Sequence, residues 1–368
     1  MIISGFKNTL IVKDDGTVIT WGNASRFTGS EMADDESKSA VVAGLKNVKS
    51  IAAAAGCYGS YALQSDGTVW AWGWNVFRHL GTGSTEEYVL IPEKVNGLSD
   101  AVAITAGVSH AIALLKDGTM RAWGKNWYGQ LGCGIDPKAV DSFPPTKISD
   151  LHNVTQISSG FFHSLALTED GTVWRWGGYG DSTFQFPIVY AANKPTEIKV
   201  PGKVISISAG GMHDVMLCED GTVWTCGYNT LRQLGVQNVA NEVIDTPVHI
   251  ERLSGIKAIS AGGGFTLALT KDGTVWAWGT NGNGELGNGS YDTKVDLSID
   301  DHMQNEPGVV SMVKDVVEIA AGGSHAMAIS RDGTIWVWGN NDEGQLGNFT
   351  ESKLCIPQRL TIADSIIL

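Results

Sequence analysis

The tripeptide Asp-Gly-Thr occurs seven times in this chain, with its glycine at Gly16, Gly67, Gly118, Gly171, Gly221, Gly273 and Gly333. A second glycine stands 11 positions upstream in every copy (Gly5, Gly56, Gly107, Gly160, Gly210, Gly262, Gly322) and a third 6 positions downstream (Gly22, Gly73, Gly124, Gly177, Gly227, Gly279, Gly339). A segment of fixed length therefore recurs, while successive copies lie 51, 51, 53, 50, 52 and 60 residues apart. Such a period identifies an array of one supersecondary unit and excludes folds built from dissimilar elements.

The fixed segment reads as a β-hairpin. In residues 262–279, two apolar runs flank Asp-Gly, a strong short hairpin signal. Alternation after the turn puts Trp276 and Trp278 on one strand face and Val275 and Ala277 on the other. A further short strand precedes each hairpin, as at Val316-Val317-Glu318-Ile319, and a fourth is marked by Pro92, Pro145, Pro195, Pro247 and Pro307. Proline donates no ladder hydrogen bond, so its strand belongs at the outer edge.

Units of four antiparallel strands at this period, with a Trp-Gly signature in six of the seven, predict an all-β fold, a seven-bladed β-propeller. The residues after Gly322 and the first five of the chain together make a seventh interval of 51, as a closed ring requires. Asp364–Leu368 resembles the start of an inner strand and Ile2–Gly5 its end, so the terminal segments are expected to pair in one blade and latch the circle. One domain over 1–368 results, with repeats at approximately 1–46, 47–98, 99–151, 152–202, 203–254, 255–314 and 315–368.

Charge and cysteine usage narrow the function. With 26 basic against 39 acidic side chains the net charge is −13, and no basic tract is present. Neither nucleic acid nor an anionic membrane is expected as a partner. The start carries no basic segment followed by an apolar run, which reads as a soluble cytoplasmic chain, a secreted form with a removed signal peptide being the alternative. Five scattered cysteines without a CxxC read as reduced thiols.

The pattern Ala-Gly-x-x-His, apolar strand, Asp-Gly-Thr-Val-Trp-x-Trp-Gly, then Asn-x-x-Gly-Gln-Leu-Gly resembles the repeat of the regulator of chromosome condensation superfamily. The resemblance covers essentially the whole chain and implies a seven-bladed propeller. Repeat one lacks the Gln-Leu-Gly loop and the edge proline, repeat four replaces the loop with residues 178–186, and repeat five has Cys226 in place of tryptophan. The superfamily includes a chromatin-bound nucleotide exchange factor for a small GTPase, a plant ultraviolet-B photoreceptor and secreted bacterial β-lactamase inhibitors. Photoreception requires tryptophans just after the first glycine, where this chain has Phe6, Cys57, Val108, Phe161, Gly211, Gly263 and Gly323, so that reading is rejected. A chromatin role fits poorly with the acidic balance.

Eleven of thirteen tryptophans occupy third-strand repeat positions and are expected to pack between blades. Trp74 and Trp127 instead fall in the loop after the third glycine, which is aromatic in four consecutive repeats: Trp74 and Phe77, Trp127 and Tyr128, Tyr179 with Phe184 and Phe186, then Tyr228. Neighbouring blades would set these rings side by side on one face, as a protein-binding surface or as a cover over the blade tops. The β-lactamase inhibitors bind through aromatic loops on one face, which the resemblance extends to this one. His110, His163, His213 and His325 take equivalent turn positions, one per repeat, and are read as satisfying turn backbone rather than binding metal. Gly282-Asn-Gly-Glu-Leu-Gly287 matches a dinucleotide motif only in letters, since no helix follows. The long interval in repeat six, with Asp292, Asp296, Asp300, Asp301, His302 and Glu306, reads as a solvated acidic loop that steers a basic partner.

No nucleophile elbow, phosphate loop or close carboxylate pair stands out. The expectation is a monomeric, cofactor-free and metal-free module that binds a protein partner, acting as an inhibitor or adaptor. Nucleotide exchange on a small GTPase is the alternative, and an enzyme with its site at the central channel is the third reading.

Overall fold

A computed structural model describes residues 1–22, 39–53, 59–136, 142–148, 151–181, 186–237, 243–291, 304–347 and 351–360. Its 28 strands form seven sheets of four, each an antiparallel meander in chain order, and among the described residues there is no helix. The first strands of successive blades pack together, as Val154–Ser159 does with Val204–Ala209, so they surround the axis. Fourth strands lie outermost, and Pro92, Pro145, Pro195, Pro247 and Pro307 all sit in them.

The Asp-Gly-Thr hairpins are closed by the aspartate itself. In all seven, its carboxylate accepts the amide proton of the threonine two residues on, at 2.8–3.1 Å. This Asx turn supplies locally the hydrogen bond that the reversing backbone lacks, and the glycine between has φ near +80° in each copy, a conformation that disfavours any side chain.

Between blades the second tryptophan of each third strand is the main filler. Trp72, Trp123, Trp176, Trp278 and Trp338 are fully buried, and Trp21 nearly so. Four of the six donate Nε1–H to a carbonyl of the preceding blade: Trp21 to Gln345, Trp176 to Gln130, Trp278 to Gln233 and Trp338 to Glu285, at 2.7–2.9 Å. The acceptor is the Gln (or Glu) of the Gln-Leu-Gly loop, whose leucine is buried at Leu80, Leu131, Leu234, Leu286 and Leu346. The loop's last glycine lies under the next blade's indole, and a Cβ on Gly132 would stand 2.7 Å from Trp176. We expect Gly132→Ala to lower the unfolding free energy by about 1–3 kcal/mol, measured by denaturant titration, because neither a rigid indole nor a φ of +64° accommodates it. The first tryptophan of the pair (Trp70, Trp174, Trp224, Trp276, Trp336) is only partly buried and caps the blade edge, in two blades beneath an arginine, at Arg252 over Trp276 and Arg359 over Trp336.

The histidines do something other than the expected satisfaction of turn backbone. Each bonds through Nε2 to the side chain of the next blade: His110 to Ser164, His163 to Asp214, His213 to Thr266 and His325 to Thr9, at 2.8–3.1 Å. The partner always follows the residue equivalent to the histidine one blade further round, and Asn8 repeats the device on Ser60. Near the axis, Ser158, Ser208 and Ser260 hydroxyls accept the backbone N–H of Ala209, Ala261 and Ala321.

The circle is joined between blades seven and one by the Thr9–His325 and Trp21–Gln345 bonds and by the Gly323 N–H donating to Gly5 O at 3.0 Å. Ile2–Ser4 is the innermost strand of blade one, paired with Asn8–Val12. The expected C-terminal half of that strand, 364–368, lies outside the described residues.

Candidate protein-binding face

The loop after each third strand and the turn after each first strand lie on one face. The amide following the third glycine donates into that turn: Lys125 to Ser109 O, Gly178 to Phe162 O, Tyr228 to Met212 O, Thr280 to Gly264 O and Asn340 to Ser324 O. In five repeats an asparagine braces the loop. Oδ1 of Asn75, Asn126, Asn229, Asn281 and Asn341 accepts the amide of the leucine five residues later, at 2.9–3.3 Å. These loops are thus held by the blades, a rigid platform for whatever side chains they carry.

Blades two and three bring the expected rings together. Trp74 and Phe77 meet edge to face at 4.9 Å, and Phe77 meets Trp127 at 5.2 Å. The Lys125 ammonium lies 5.4 Å from the Trp127 ring and 5.9 Å from Phe77. Trp127 is 43% exposed, the most exposed ring among the described members of the set, whereas Trp74, Phe77 and Tyr128 are partly buried. Tyr128 packs on Phe162 at 5.3 Å, an aromatic of the neighbouring turn that spacing in the loop did not single out. An open groove of about 600 Å³ runs from Trp127 and Tyr128 to Ala192, Asn193 and Lys194.

Two expected contributors are corrected. Tyr179 and Tyr228 are fully buried, packing together with Met212 beneath Phe161, and offer no ring to a partner. Phe184 lies outside the described residues, and Phe186 begins the outer strand Phe186–Ile198. Asp292, Asp296, Asp300, Asp301 and His302 of the acidic insertion also lie outside them.

Tyr179 is buried because blades four and five solve their contact differently. Blade four has no Gln-Leu-Gly loop: its third and fourth strands run on as a long hairpin, pairing Tyr179 with Tyr190 and Asp181 with Phe186. A tryptophan at 226 would lack the Gln-Leu-Gly carbonyl that Trp176, Trp278 and Trp338 use, and Cys226 takes its place. The space is filled by Arg175, whose Nη1 donates to the Tyr179 hydroxyl at 3.0 Å and lies 3.7 Å from Asp214. Tyr179 in turn donates to Asp214, which also holds His163, and Arg175 reaches Asp245 at the surface. Burial alone would raise the Asp214 pKa, but His163, Arg175 and Tyr179 hold it below the usual carboxylate value. Burial, then the Asp214 charge, pushes the Tyr179 and Cys226 groups up, so both stay protonated and Cys226 is a poor nucleophile.

The RCC1-like domain model matches residues 145–367, and the regulator of chromosome condensation (RCC1) repeat matches 66–114 and 117–167. The chain is 28% identical over 358 residues to the ultraviolet-B receptor UVR8 of Arabidopsis thaliana, covering 94% of this chain and 78% of the receptor. It is 30% identical over 317 residues to the human E3 ubiquitin-protein ligase HERC2, covering 81% of this chain but only 6% of that protein. Among solved structures, Prp20p of Saccharomyces cerevisiae, described with its binding properties to Gsp1p and histones, superimposes with a TM-score of 0.77 at 21% identity, over 97% of this chain and 88% of the other. That likeness is one of fold.

Proposed function

The chain belongs to the regulator of chromosome condensation repeat family, and from that premise we propose that it is a non-catalytic protein-interaction module whose aromatic loops on blades two and three dock a protein partner as an inhibitor or adaptor. The observation that carries the reading is the Trp74–Phe77–Trp127 stack, which leaves a large ring 43% exposed on braced loops. Exposed tryptophan on a rigid support has the character of a binding hot spot: much area to bury and little side-chain freedom to lose. The chemistry near the axis also favours binding over turnover, since the Ser158, Ser208 and Ser260 hydroxyls are engaged as acceptors between blades.

Affinity purification of the full chain with mass spectrometry, run in parallel on Trp127→Ala, tests this. The partner's recovery is expected to drop on the order of 30-fold in the variant, the scale of a hot-spot residue. The melting temperature should stay put, because the exposed indole contributes little to the blade contacts. Unchanged recovery together with a lowered melting temperature would mean that the rings only cover the blade tops.

A further inference from the structure

Three loops of this face, two of which carry the aromatic stack, also carry positive charge. From the third glycine to the end of Gln-Leu-Gly, residues 74–81, 125–132 and 228–235 each hold one cation and no acid: Arg78, Lys125 and Arg232. The same stretch in repeats six and seven is acidic, with Glu285 in 280–287 and Asp342 and Glu343 in 340–347. In a chain with a net charge of −13, this sorting is the reverse of what composition would give by chance.

Position strengthens the pattern. Arg78 is exposed beside Phe77, with φ of +56°, at the place where repeat three has Gly129 at +82°. Arg232 takes that same place in repeat five at +59°. Two long cations therefore stand in the left-handed conformation where glycine is easiest, and Arg78, although its Nη1 donates to Ser84 O at 2.9 Å, remains exposed. Exposed Lys194 lines the far side of the groove that begins at Trp127, and the Lys125 ammonium sits within 6 Å of the Phe77 and Trp127 rings.

We infer that the segment docked on this face is an acidic peptide with an apolar anchor: its side chain covers Trp127 while its carboxylates meet Arg78, Lys194 and Arg232. The inference rests on the reading of this face as a docking surface and adds the chemistry of what docks. It also sets the binding kinetics. The overall negative charge slows approach of an acidic partner, so recognition depends on short-range complementarity rather than long-range steering.

Selection of a random peptide display library on the immobilised full chain, at about 50 mM and about 500 mM salt, separates the two claims. Recovered peptides should be rich in Asp and Glu around an aromatic or aliphatic residue. They should bind Trp127→Ala on the order of 30-fold more weakly and the triple variant Arg78→Gln/Lys194→Gln/Arg232→Gln about tenfold more weakly, with a shallower salt dependence. Thermal melts of both variants check that the fold is intact. Basic or uncharged peptides that still require Trp127 would overturn the acidic chemistry and leave the docking face standing. Peptides indifferent to Trp127→Ala, or no enrichment on the wild-type chain over that variant, would overturn both.

Discussion

Lowering the pH from about 8 to about 5 should unfold this propeller or bring it close to unfolding, well above the range where carboxylates titrate. The cause lies in its buried imidazoles. Burial lowers the pKa of His79, His110 and His325 from 6.5 to about 3 and that of His213 to about 4, the last despite the nearby Asp214 carboxylate. Their neutral forms belong to the folded state. In the unfolded chain they protonate as pH falls through 6.5, while the folded chain resists until near 3 or 4. The unfolded state thus binds more protons throughout that window, and stability falls as pH falls. Each depressed unit is worth about 1.4 kcal/mol, so at pH 5 four such groups together cost on the order of 8 kcal/mol, comparable with the total stability of an ordinary domain.

Melting temperature against pH is the measurement, and a flat profile between pH 7 and 5 would sink the argument. The variant His325→Asn should reduce the slope without destroying the contact, because blade one already uses Asn8 against Ser60 at the equivalent place. The seven hairpin aspartates act in a different window. Hydrogen bonds from the threonines hold their carboxyls below the usual value, as at Asp66 and Asp117, so their contribution is present above about pH 4 and is lost only as pH falls through the folded values.

The repeat made the ring legible because its signature is local: the Asx turn, the alternating Trp-x-Trp strand and the edge proline each lie within a few residues of what they stabilise. The meaning of the histidines was not legible in the same way. Their partners, such as Ser164 for His110 and Thr9 for His325, are more than 50 residues away and carry no mark of their own. A signal did exist: a hydroxyl or carboxylate follows the histidine position in the next repeat wherever a histidine precedes it. Among the loop aromatics the sequence could not separate Trp127 from Tyr179, since both follow a third glycine within a few residues. What separates them is the blade contact behind: Trp127 sits on a braced Gln-Leu-Gly loop, and Tyr179 fills a gap left where that loop is missing.

That gap makes the second large prediction. Loop loss in repeat four and Cys226 in repeat five look unrelated along the chain, yet they are one substitution in space, completed by Arg175, Tyr179 and Asp214. Removing one member should therefore cost more than removing two. Asp214→Ala leaves the buried Arg175 charge facing Tyr179 without its inner carboxylate and takes the acceptor from His163, an expected loss of about 3–5 kcal/mol. Adding Arg175→Ala removes the uncompensated charge and should return at least about 1 kcal/mol of it, a coupling of the size seen between residues in one network. Cys226→Trp alone should destabilise by about 1–3 kcal/mol through overpacking against Arg175, and Arg175→Ala in the same chain should relieve it, since elsewhere the residue at the position of Arg175 that packs with the next blade's tryptophan is small, as Ala122 with Trp176 and Ala277 with Trp338. Urea midpoints of the single and double variants give both couplings directly. Strictly additive values would mean that the arginine, the carboxylate and the missing indole are independent, and that the blade four contact is held by something else.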